Sequence, residues 1–116
     1  MWTTVAAFLW TLMVFVGSII PANQAAKLNP LAFIGADKLA HFGAYLMMML
    51  LWSLTLSKRG SKIGGARVSF YGTIALGILL EVCQSCFFES RSFEIVDIIA
   101  NIMGSIVGLV LFYKFF

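Results

Sequence analysis

Four nearly uncharged apolar runs, at about 2–20, 39–56, 68–88 and 95–113, occupy most of this chain, and short polar breaks separate them. A bilayer core of about 30 Å is spanned by roughly 20 residues of helix rising 1.5 Å each, so each run is near the length one crossing needs. The expected fold is therefore all-α, a single-domain integral membrane four-helix bundle over 1–116, with helices at about 2–20, 38–57, 68–88 and 94–115. Composition agrees: 61% of the residues are hydrophobic and 11% charged, against roughly 25% charged in soluble domains.

The breaks carry the topology. Pro21 ends the first run, and PANQAAKLNPLAFIGA reads as a loop with Asn29-Pro30 as a turn or extended dipeptide. Small residues after the first run make a cleaved signal peptide a competing reading of it. Its n-region has no Lys or Arg, and the run is longer than a usual h-region. The Gly-rich break SKRGSKIGGAR holds Lys58, Arg59, Lys62 and Arg67. By the positive-inside rule that loop, both termini and Lys114 belong in the cytoplasm, with Lys27, Lys38 and Arg91 outside. The inner (cytoplasmic) membrane is the expected location. The net charge of +3 is no nucleic-acid signal, since the bases do not gather with aromatics on a folded face.

All five acids, Asp37, Glu81, Glu89, Glu94 and Asp97, then fall in the outer half. An ionisable group in hydrocarbon costs at least about 2.5–3.5 kcal/mol on the insertion scale, so Glu81 and Asp97 need a role or a partner. Asp37 reads as the cap of the second helix. Asp37, His41 and Tyr45 recur every four residues within about 80° of one helix face. Asp97, Asn101, Gly104 and Gly108 fall within about 60° on the fourth helix, and Glu81 and Gln84 share a side of the third. Glu81 lies about 21 Å along its helix from Arg67, and His41 and Asn101 each about 6 Å below an acid near the start of their own helix. Three helices thus deliver polar groups to similar depths.

Blander roles compete. Asn, Gln and His also join helices, at about 0.6 kcal/mol each; Glu81 and Asp97 also fit a buried pair with Arg91, Lys38 or His41; and Gly-x-x-x-Gly at 104–108 lets helices approach closely. Met47, Met48 and Met49 read as packing or lipid-facing residues. Cys83 and Cys86 form a lone Cys-x-x-Cys, read as packing residues with a disulfide or metal role as the minor alternative. No metal motif such as His-Glu-x-x-His is present, and no cofactor is expected.

DKLAHFGAY at 37–45, followed by Glu81-x-x-Gln84, Arg91, Asp97, Asn101, Gly104 and Gly108, resembles the VanZ-like family of small bacterial membrane proteins. The family's turn before the arginine is often Pro-Gly; here it is Glu89-Ser90. The resemblance implies a multi-pass protein of the cell envelope, linked in the founding member to resistance to the glycopeptide teicoplanin. It implies Asp37, Lys38, His41, Tyr45, Glu81, Gln84, Arg91, Asp97 and Asn101 as the functional, ligand-binding set. Three functions stay open. One is an outward-facing pocket for an anionic lipid headgroup or lipid-linked cell-wall precursor. Another is an intramembrane hydrolase or transferase on such a lipid, with His41, Glu81 and Asp97 as catalytic candidates. The last is a structural subunit pairing with itself or another membrane protein through an exposed small-residue seam.

Overall fold

Helix is the one conformation that satisfies every backbone N–H and C=O within a single apolar segment, and these four runs adopt it. The computed structural model describes residues 2–18, 30–87 and 95–116. They form α1 (Trp2–Ser18), α2 (Pro30–Ser57), α3 (Lys62–Phe87) and α4 (Ile95–Phe115), with no strand among the described residues. Helices α2, α3 and α4 are long and apolar enough to cross a membrane; α1, at 17 residues, is shorter. Large apolar side chains such as Phe8, Leu39, Leu79, Ile99 and Val110 face outward, as a lipid surroundings requires.

Two helix starts differ from the sequence reading. Pro30 opens α2 about eight residues before the expected start at 38, because its fixed φ and missing N–H suit the first helical position. Asp37 therefore lies about two turns inside α2 and caps nothing. Lys62 opens α3 six residues before the expected 68. Ser61 is its cap, its Oγ accepting from the Gly64 N–H at 2.8 Å. The Gly-rich stretch taken for loop is thus largely helix. Gly65 is needed there, since a Cβ would stand 2.5 Å from the Ser57 backbone nitrogen. The α2–α3 connection shrinks to residues 58–61.

α2 is the central element, packing most extensively on α4 and next on α3. α2 and α4 run parallel in a register read from paired contacts: 38 with 97, 41 with 101, 42 with 104 and 46 with 108. Gly104 and Gly108 set the spacing, because a Cβ would lie 2.2 Å from Phe42 O and 2.8 Å from Leu46 O respectively. The small-residue seam is therefore buried inside the chain, which corrects the expectation that it is exposed for a partner. Below it Met48 and Met49 are buried while Met47 faces out.

α1 runs antiparallel on α2. Trp10 Nε1 donates to Ala44 O at 2.9 Å, Trp52 Nε1 donates to Thr11 Oγ1 at 2.9 Å, and the Phe8 and Trp52 rings meet edge to face at 5.0 Å. At the opposite side Lys62 of α3 lies over the Phe112 and Tyr113 rings of α4. The start of α1 and the end of α4 thus share the end of the bundle that carries the α2–α3 turn.

Candidate functional site

The far end of the bundle holds the polar cluster. Asp97 sits in the first turn of α4, where an anion is favoured by the exposed N–H groups. Across the seam Lys38 of α2 makes an ion pair and hydrogen bond with Asp97 Oδ1. One turn deeper His41 Nδ1 lies 2.9 Å from Asn101 Oδ1, an oxygen partner that requires the proton on Nδ1. His41 Nε2 then faces Asp97 Oδ2 at 3.8 Å, beyond hydrogen-bond length but within ion-pair range. Lys38 and His41 are thereby tied to both polar rungs of α4.

The third helix joins through a residue that carries no side chain. A Cβ on Gly77 would lie 2.9 Å from the Tyr45 ring and 3.3 Å from Asn101 Nδ2. α3 therefore presses its bare backbone against the two side chains that α2 and α4 bring together. Glu81, one turn beyond Gly77 on the same face, is 2% exposed and acts electrostatically on Tyr45. Tyr45, Asp97 and Asn101 are equally buried. Ser105 Oγ donates to Asn101 O at 2.9 Å, fixing the backbone beneath the amide.

Of the nine residues singled out from the sequence, the structure gathers Lys38, His41, Tyr45, Asp97 and Asn101 in direct contact or through Gly77, with Glu81 buried one turn beyond Gly77 on α3. The side chains of Asp37 and Gln84, and all of Arg91, Glu89 and Glu94, lie outside the described residues. Gly77 was missed. A lone glycine in an apolar run has no periodic signal, although glycine four residues before a buried acid is a cue to close backbone approach. Cys83 and Cys86 are both free thiols, which removes the disulfide alternative.

Exposure is graded across the cluster. The Lys38 side chain is 30% exposed and that of His41 14%, whereas that of Asp97 is 5%. The cationic partner Lys38 and the imidazole are thus more exposed than the carboxylate they face. The Lys38 ammonium, held by Asp97, is the most exposed of these three groups and the first that an approaching anion could meet.

A family model described as VanZ/LLP1 matches residues 3–116 of the chain. No curated protein and no solved structure matches it.

Proposed function

The chain belongs to the VanZ/LLP1 family, a membrane protein with membrane-span-like helices, and on that premise we propose that its polar cluster binds an anionic headgroup. The ligand class is a phosphate-bearing lipid headgroup or a lipid-linked cell-wall precursor. The observation that carries this reading is that the side chains of Lys38 and His41 are more exposed than the buried carboxylates of Asp97 and Glu81. Buried acids alone would repel an anion; here Asp97 holds the Lys38 ammonium, whose side chain is the more exposed of the pair. Arg91, outside the described residues, is the further donor this reading expects.

The same proposal puts the protein in the bacterial cytoplasmic membrane, with both termini and the 58–61 turn in the cytoplasm. Supporting this orientation, Lys58, Arg59, Lys62, Arg67 and Lys114 crowd the turn end, which holds no described acid. The cluster then faces outward, where a contribution to teicoplanin resistance would be exerted.

The test is a titration of purified protein with an undecaprenyl-type lipid pyrophosphate, comparing wild type with Lys38→Gln and His41→Ala. Each variant is expected to weaken binding about tenfold, the effect of one charge-assisted hydrogen bond. Equal affinity in all three would refute the reading. The enzyme alternative has one observation in its favour, the His41–Asp97 pairing. Against it, His41 Nε2 is turned towards Asp97 rather than towards open space. Phosphate release that disappears in His41→Ala would replace binding by hydrolysis.

A further inference from the structure

At the turn end, opposite the polar cluster, α3 and α4 flank an open cavity of about 210 Å³ lined by Ile63, Ala66, Arg67, Phe70, Tyr71, Leu109 and Tyr113. Arg67 is exposed and makes no ion pair or hydrogen bond among the described residues. The nearest acid along its own helix, Glu81, is about 21 Å away. A guanidinium at the edge of a membrane segment is rarely left without an anionic partner, and none is provided within the described chain.

Two phenols converge on the same cavity. Tyr71 lies one turn from Arg67 on α3, and Tyr113 faces it from α4. Their rings are steadied by edge-to-face contacts with Phe70 and Phe112, centroids 5.9 and 5.8 Å apart. A second cation, Lys62, is held 5.8 Å over the Tyr113 ring. The remaining lining is apolar, and the exposed Val110 and Ile106 continue from Tyr113 along α4 towards the middle of the bilayer.

We infer that this cavity is a second, independent site for the phosphate of an anionic phospholipid. Arg67 is the bidentate ligand and Lys62 a flanking charge. The Tyr71 and Tyr113 hydroxyls donate to the remaining oxygens, and the acyl chains lie along Val110 and Ile106. Tyrosine at the headgroup level and basic residues between helices at one membrane surface are the chemistry such lipids select. A phosphate monoanion in solution offers the same oxygens but gains nothing from the apolar path, which favours the lipid.

Native mass spectrometry of the full chain released from detergent with phosphatidylglycerol, or with phosphatidylcholine, tests this. Wild type is expected to retain phosphatidylglycerol in preference to phosphatidylcholine. Arg67→Gln should weaken retention about tenfold, Tyr113→Phe about threefold, and Arg67→Lys should restore part of the loss. Lys114→Gln, which removes a basic residue at the same end that does not line the cavity, should leave this fraction unchanged. Unchanged retention in Arg67→Gln, with helicity intact by circular dichroism, would overturn the assignment. So would equal retention of the two lipids, a loss in Lys114→Gln as large as in Arg67→Gln, or displacement by millimolar inorganic phosphate, which would make the occupant a soluble anion.

Discussion

Gly104→Ala is the sharpest probe of how the cluster is held together. The added methyl would stand 2.2 Å from Phe42 O and 3.0 Å from its carbonyl carbon, against the 3.4 Å where ordinary contact begins. Both are backbone atoms, so no side chain can swing aside. α2 and α4 must separate by about 1.2 Å at this level if the contact is relieved along the line between them. His41 and Asn101 lie one turn above; the same displacement stretches their 2.9 Å bond to about 4 Å and breaks it. Overpacking of this kind costs about 1–3 kcal/mol, and the lost interhelical bond about 0.6 kcal/mol more. Unfolding in mixed micelles by increasing sodium dodecyl sulfate, followed by far-ultraviolet circular dichroism, should show a loss of about 2–3 kcal/mol. Gly43→Ala is the control, since a Cβ there meets nothing within 4 Å; it should be neutral or gain a few tenths of a kcal/mol from helix propensity. Wild-type stability in Gly104→Ala, or equal damage from both substitutions, would refute the seam as the determinant of the α2–α4 spacing.

Asp97→Asn leaves Lys38 and His41 without their shared carboxylate and should cost about 1–3 kcal/mol, less than a fully buried pair because Lys38 is partly exposed. In a double-mutant cycle by the same unfolding assay, Lys38→Met should recover part of that loss. Gly77→Ala drives a methyl against the Tyr45 ring and the Asn101 amide and should weaken anion binding at the polar cluster more than stability, read by titration beside a thermal melt. Trp52→Phe removes the bond to Thr11 Oγ1 while keeping a ring against Phe8, so a loss of about 0.5–1 kcal/mol is expected on thermal unfolding. Because both cysteines are free thiols, the wild-type unfolding midpoint should be the same with and without reductant.

Helical period and depth were enough to find the cluster from the sequence, because both are properties of single helices. His41 and Tyr45 share a face whatever their neighbours are, and Asp97 and Asn101 do likewise. Which faces meet depends on helix spacing, and there the legible signal was the glycine pair at 104 and 108. Its partner was not legible: the pair packs on Phe42 and Leu46 of the same chain, not on another molecule. Helix starts were read less well. Pro30 and the glycines at 64 and 65 resemble breakers locally, yet Pro30 occupies a first-turn position and Gly65 a point of close approach to Ser57. Gly77 was invisible because its contribution is an absence of side chain, which pattern reading scores as nothing. The indole bond from Trp10 to the Ala44 carbonyl was equally beyond reach, as it joins a side chain to a backbone atom 34 residues away.

The segregation of Lys58, Arg59, Lys62, Arg67 and Lys114 to the turn end has an electrical consequence. In the proposed orientation these five charges face the negative side of an energised membrane, and each is worth about 2.3 kcal/mol per 100 mV against inversion. The voltage that respiring cells maintain therefore acts on this small protein as a continuous clamp, one that a depolarising agent would release.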